Sequence, residues 1–281
     1  MSRGWTGLLL GACVLLGGGA AQAECVVAAA TLSFGLHEPL TGQPTDVNGH
    51  ILLSCKGPEG YELRFGPGQR GSHARRLLQH TGQPHATLGY NLYRDPGRTQ
   101  VLKETVALTG KADGQGQAHV VIYGRIYGRQ LTAPAGHWRD EVPIFLPTGG
   151  KASLEVAAHT PADCTVSSGN TLAFGEFSGG EVRDAEGFFT VTCTRQTAYT
   201  VTLDQGQHAR GDLRHMARGD SLLAYRLYLD PGRRVEWRGT TGRRGKGSGL
   251  PQVQTVYGRI PAGQRVAAGE YQDVVTITVT Y

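Results

Sequence analysis

The chain has no cysteine pair at Cys-x-x-Cys or Cys-x-x-x-x-His spacing, so a zinc site is not expected, nor is any other metal or cofactor. It contains neither Gly-x-Ser-x-Gly nor His-Glu-x-x-His, which removes the common serine-hydrolase and zinc-protease readings. The glycine-rich stretch at 239–249 is not a phosphate loop, because Thr240 and Gly247 stand where that loop needs glycine and a magnesium-binding hydroxyl. With no nucleophile–base or ligand constellation, the chain does not read as an enzyme. Beyond the amino terminus no segment approaches the ~20 apolar residues of a membrane helix. Charge of one sign is scarce too. Residues 24–150 carry 12 Lys+Arg and 10 Asp+Glu (12 − 10 = +2), and residues 151–281 carry 15 and 13 (15 − 13 = +2). An excess this small argues against nucleic acid as a partner.

The amino terminus reads as a secretory leader. Arg3 precedes an apolar run, Leu8 to Leu16, and Ala21-Gln22-Ala23 gives a small-x-small cleavage pattern. Residues 1–23 are the expected signal peptide and Glu24 the expected first mature residue. Leu10-Gly11-Ala12-Cys13 also resembles a lipobox, but the apolar run continues through Leu16, which suits a lipidated terminus poorly.

The strongest positive feature is a long-period repeat. Tyr90-Asn-Leu-Tyr-Arg-Asp-Pro-Gly-Arg98 returns as Tyr225-Arg-Leu-Tyr-Leu-Asp-Pro-Gly-Arg233, and Tyr123-Gly-Arg-Ile126 as Tyr257-Gly-Arg-Ile260. Solenoid units run to about 50 residues, so a period near 135 is a duplicated domain. The expected mature chain has four cysteines. The duplication favours one bridge per copy, Cys25–Cys55 and Cys164–Cys193, with separations of 30 and 29 residues. Strand signals dominate both copies: 42 glycines punctuate the chain, and Val275, Ile277, Val279 and Tyr281 alternate with threonines. Asp95-Pro96-Gly97 and Asp230-Pro231-Gly232 read as turns in which proline presets φ and glycine takes the positive φ. The economical fold is all-β, turn-rich and disulfide-bridged. The repeated Tyr-Gly-Arg motif reads as structural, since a binding site would more readily survive in one copy only.

Several motifs together resemble the spore coat protein U domain, the pilin fold of archaic (Csu-type) chaperone–usher pili. They are Leu172-x-Phe174-Gly175, Val191-Thr-Cys193, Val256-Tyr-Gly-Arg-Ile-Pro-Ala-Gly-Gln264 and Tyr271-x-Asp273-Val-Val-Thr-Ile-Thr-Val-Thr-Tyr281. The first copy departs from the pattern at Tyr127-Gly-Arg129 and ends in Pro143-Ile-Phe-Leu-Pro147. The resemblance implies two tandem immunoglobulin-like sandwiches: an adhesin domain at 24–150 and a pilin domain at 164–281, the second lacking its final strand. A neighbouring pilin subunit would supply that strand. A periplasmic chaperone would cover the same edge during assembly, along Val275, Ile277, Val279 and Tyr281, and an outer-membrane usher would follow. Only Glu24 precedes Cys25 in the expected mature chain, leaving no donor segment. This implies a tip adhesin that mediates surface attachment and biofilm formation on an abiotic or host surface, exported through the periplasm to the pilus tip.

Residues 151–163 read either as a linker or as a donor strand acting in cis on the first domain, with Leu154, Val156 and Ala158 on one face. The loop 66–85 is the expected adhesive element, through Arg70, His73, Arg75, Arg76, Leu77 and Leu78. Trp138 and His37-Glu38-Pro39 are further loop candidates. Two rival functions remain: a structural coat or pilin component without a receptor, and a lectin-like glycan-binding module.

Overall fold

The computed structural model describes residues 24–58, 60–147 and 149–281. The expected leader and the lipobox resemblance lie outside them. Among the described residues there is no α-helix, only strands and one 3₁₀ turn at Pro39–Thr41. Two separate hydrophobic cores form.

The first copy is one nine-stranded sheet curled around its core. Its strands are β1 (Cys25–Leu36), β2 (Thr45–Cys55), β3 (Gly60–Phe65), β4 (Arg76–His80), β5 (Gln83–Tyr93), β6 (Leu108–Lys111), β7 (Gln117–Ile126), β8 (Gly136–Phe145) and β9 (Lys151–Thr160). Their order is β4-β5-β7-β2-β1-β9-β8-β3-β6. Period-two alternation sets which face is buried. On β7, Ala118, Val120, Ile122 and Ile126 point inward, and on β9 Leu154, Val156 and Ala158 do so while Ser153 and Glu155 face solvent.

The second copy splits into two sheets. One has the order β10-β11-β16-β14-β13, from β10 (Cys164–Asn170), β11 (Arg183–Cys193), β16 (Gln252–Ile260), β14 (Ser221–Tyr228) and β13 (Arg214–Arg218). The other has the order β15-β12-β17, from β15 (Arg243–Lys246), β12 (Ala198–Leu203) and β17 (Ile277–Thr280). The pairing Cys25↔Cys55 opens β1–β2, and Cys164↔Cys193 opens β10–β11. Each bridge therefore ties a first strand to its neighbour within one copy.

The repeated words form a framework. Tyr90 Oη donates to Asp140 (2.7 Å) as Tyr225 Oη does to Asp273 (2.6 Å), each tyrosine edge-on to Phe34 or Phe174. Gly124 and Gly258 are glycine because a Cβ would lie 2.9 Å from the Phe34 ring in one copy and 2.8 Å from the Phe174 ring in the other. The Asp-Pro-Gly-Arg turn differs from expectation: the positive φ falls on Arg98 (55°) and Arg233 (53°), not on glycine. The strain is offset because each guanidinium donates to three backbone carbonyls: Gly124, Pro96 and Val47 for Arg98, and Gly258, Pro231 and Ala185 for Arg233. In both copies the last arginine of Tyr-Gly-Arg grips an aspartate bidentately, Arg125 on Asp46 and Arg259 on Asp184.

Those carboxyls are held below their ordinary value, first by the arginine hydrogen bonds and against the opposing effect of partial burial. A depressed folded value means the contribution is complete above the unfolded carboxylate value of about 4 and is lost as pH falls through the folded one. Asp46→Asn and Asp184→Asn should each flatten the acid limb of a stability–pH curve. They should lower stability at neutral pH by under about 1 kcal/mol, because both pairs are half-exposed, and should match the parent near pH 2. Urea titrations at several pH values check this. A variant curve parallel to the parent would remove the linkage.

Candidate functional site

The two copies differ most at their first and last strands. In the first copy β9 lies between β1 and β8, parallel to β1 (Leu32↔Val156) and antiparallel to β8 (Val142↔Leu154, Asp140↔Val156). In the second copy no strand of the described residues lies between the equivalent strands. Among the described residues β10 pairs only with β11, and β17 only with β12. Each therefore presents a row of unpaired N–H and C=O groups toward a groove.

The missing neighbour shortens both strands. β1 spans 12 residues and β10 only 7; β8 spans 10 and β17 only 4. The side chains on the groove floor change with them. Leu32, Val142 and Ile144 are fully buried, while their counterparts Leu172, Val275 and Ile277 are half-buried. Val166, on the inward-facing side of β10, is 43% exposed. Val279 is half-buried, and Tyr281 lies outside β17, 56% exposed, with its hydroxyl donating to Asp163 Oδ1 (3.1 Å). Among the described residues the second core is thus open along one side, an apolar channel edged by backbone without a strand partner. Such a channel takes an extended strand, satisfying hydrogen bonds and apolar contacts together.

Leu154, Val156 and Ala158 lie on β9, inside the first core, with Leu154 and Val156 at 0% exposure. The strand is reached by a tight turn in which Leu146 N–H donates to the Gly150 carbonyl and Gly149 adopts φ 81°.

The loop 66–85 does not present all its expected contacts. Arg76 is 0% exposed. It donates to the carbonyls of Gly66 and Leu102 (2.7 and 2.8 Å) and to Asn91 Oδ1. Burial pushes its guanidinium down from the ordinary value. Leu78 is fully buried, Leu77 half-buried, and half-buried His73 bonds to the Phe65 carbonyl. Arg76 and Leu78 are therefore corrected to core residues, since neither reaches a surface. Of the six, only Arg70 and Arg75 are exposed. Trp138 is likewise core, its Nε1 donating to Thr160 Oγ1 (2.9 Å), and His37 and Pro39 are buried. Arg214 repeats Arg76: it donates to the carbonyls of Asp204 and Trp237. The buried arginine could have been found from the shared offset of 138 that also relates Tyr61 to Tyr199. Asp140, which accepts from Tyr90, the Gln69 N–H and the Glu141 N–H, has its carboxyl pushed up by burial.

Comparison with known proteins agrees with this architecture. The family model described as Spore Coat Protein U domain matches residues 14–144 and 151–278. Its second match begins at 151, although the hydrogen bonds place Lys151–Thr160 in the first copy's sheet. A curated relative, Protein U of Myxococcus xanthus, is 35% identical over 150 residues, covering 46% of this chain and 84% of that protein. Among solved structures, a chain from the chaperone–tip adhesion subunit pre-assembly complex of archaic chaperone–usher Csu pili of Acinetobacter baumannii superposes with a TM-score of 0.58. It is 16% identical over 92% of this chain and 100% of that one, a likeness of fold. These relatives are coat and pilus proteins rather than enzymes, and the two bridges suit an oxidising periplasmic or extracellular compartment. The chain belongs to the Spore Coat Protein U domain family, which it carries in two tandem copies.

Proposed function

We propose that this protein is the tip adhesin of a chaperone–usher pilus. The observation that carries the reading is the asymmetry of the two sheets: β1-β9-β8 is continuous in the first copy, while β10 and β17 flank an open groove in the second. β9 acts as a donor strand in cis, so the first domain is complete. The second domain accepts a strand from the next pilin, after a periplasmic chaperone has covered Val275, Ile277 and Val279 and an outer-membrane usher has received the complex. Among the described residues, β1 is paired with β2 from Cys25 onward and β9 is held by the first domain, so neither of these strands is free to complete a neighbour. A subunit that accepts and does not donate ends a fibre. Its first domain then meets the abiotic or host surface, with Arg70 and Arg75 as the exposed cations of loop 66–85, and attachment founds a biofilm.

A second reading rests on the 35% identity to Protein U: a coat component without a receptor. Immunogold labelling of intact cells with an antibody against residues 24–150 separates the two. Gold at fibre ends is the expected result. Gold along whole fibres would make the protein a shaft subunit, and gold on a fibreless coat would favour the second reading.

A further inference from the structure

The loop after β7 folds against the second domain. Ala135 N–H donates to the Arg195 carbonyl (3.2 Å), and Gly249 sits so close to Leu131 that a Cβ there would lie 2.0 Å from its carbonyl oxygen. These backbone contacts border an open cleft of about 400 Å³ where the two copies meet, lined among others by Arg75, Arg129, Arg195, His85, Thr87 and Thr132. Among the described residues no aspartate or glutamate lines it.

We propose that this cleft binds an anionic saccharide, a sugar unit carrying carboxylate or sulfate. Three arginines line one concavity with no counter-charge among the lining residues, so their charges repel one another and an oxyanion relieves that repulsion. Concave walls concentrate the field, and the planar fork of arginine matches carboxylate and sulfate bidentately. Arg75 is already oriented: its Nη2 donates to Gln130 Oε1 (3.0 Å) and its guanidinium lies 5.1 Å from the centre of the Tyr127 ring. Arg129 and Arg195 are exposed and have no side-chain hydrogen bond or ion pair among the described residues. Their main chains are nonetheless pinned: Arg129 N–H donates to the Gly42 carbonyl (3.0 Å), and the Arg195 carbonyl accepts from Ala135. The two heads are free to close on a guest while their roots are fixed. Thr87 and Thr132 are exposed and supply hydroxyls for sugar hydroxyls. The volume falls within the range of ligand sites. Apart from His85 no aromatic ring of the described residues lines the cleft, so stacked nucleobases have no platform there.

The inference needs only the fold of a single chain and is independent of any role in a pilus. It is tested by calorimetric titration of the purified full chain with oligogalacturonate, a sulfated heparin oligosaccharide, neutral dextran and inorganic sulfate. At least one of the two charged oligosaccharides should bind, more weakly as salt rises, and dextran should not. Arg129→Asn with Arg195→Ala should weaken binding about tenfold or more, since each removes a charge-assisted hydrogen-bonding group. Asparagine tolerates the positive φ of Arg129 (58°), and both side chains are exposed, so thermal unfolding should match the parent. Arg94→Ala, an exposed arginine of the first domain that does not line the cleft, should bind like the parent. Failure of both charged oligosaccharides to bind, undiminished binding by the double variant, or equal binding of dextran would overturn the proposal. So would an oligosaccharide affinity no higher than that of inorganic sulfate, which would reduce the cleft to a plain anion site.

Discussion

Val156→Asp should unfold the first domain and leave the second standing. Val156 has 0% exposure and lies opposite Leu32 on one side and Asp140 on the other. Directly opposed residues on one sheet face have Cβ atoms about 5 Å apart. A carboxylate at 156 would therefore be buried beside a carboxylate whose own ionisation burial already disfavours. No unspent cation is at hand: the nearby Arg76 is committed to the carbonyls of Gly66 and Leu102 and to Asn91. An unpaired buried charge next to a like charge costs more than about 4 kcal/mol, most of the stability of an ordinary domain.

The damage should not stop at one site, because β9 is the strand that lies between β1 and β8 and pairs with both. Two tryptophans make the result readable. Trp138 is buried in the first core and Trp237 in the second. In denaturant titrations the Trp138 signal should be unfolded from the start, while the Trp237 signal keeps its transition. Glu155→Gln, one residue away on the solvent face, should change stability by less than about 0.5 kcal/mol. A Val156→Asp protein that retained both transitions would show that β9 is not part of the first domain's sheet in solution.

Where the sequence was readable and where it was not follows from the range of the interactions. Alternation is local, so the strands around Phe189-x-Val191-x-Cys193 and Leu154-x-Val156-x-Ala158 show themselves without any knowledge of partners. Duplication carried further: it paired the cysteines within each copy and marked Tyr90, Tyr225 and the Tyr-Gly-Arg segments as framework. What stayed hidden depends on groups distant in the chain converging. Arg76 follows Arg75 in a polar, glycine-rich stretch and reads as solvated. It is buried only because the carbonyls of Gly66 and Leu102 meet at its guanidinium. Trp138 reads as a loop residue until Thr160, at the end of β9, accepts its N–H. The length of β17 is invisible for a different reason. Its Val/Thr alternation continues from Val275 to Tyr281, but a strand on an open edge holds its shape only where a partner pairs with it, here β12 from Ile277 to Thr280. The cleft at Arg129 and Arg195 joins residues 66 positions apart in different copies, and no local pattern announces it.

A strand laid into the second groove should raise the unfolding temperature of the second domain by roughly 10–20 °C. The first domain shows what a filled groove looks like: Leu32, Val142 and Ile144 are fully buried there, whereas Leu172, Val275 and Ile277 retain exposed surface and Val166 is 43% exposed. Completing the burial of these residues and Val279, at about 0.5–1 kcal/mol each, yields on the order of 3–5 kcal/mol before new backbone pairing is counted. For a domain of this size each kcal/mol moves the midpoint by about 4 °C. The natural probe is a peptide with the sequence of Lys151–Thr160, because β9 already fits the equivalent groove of the same fold. Added in excess to the full chain, it should raise the Trp237 transition in a concentration-dependent way and leave the Trp138 transition in place, since the first groove is occupied. The same peptide with aspartate at the position of Val156 should do nothing, and Ile277→Asp in the protein should abolish the shift. A peptide that raised both transitions equally would be acting nonspecifically. One that moved neither would mean that the groove between β10 and β17 does not accept an extended strand, and the proposed role in fibre assembly would fall with it.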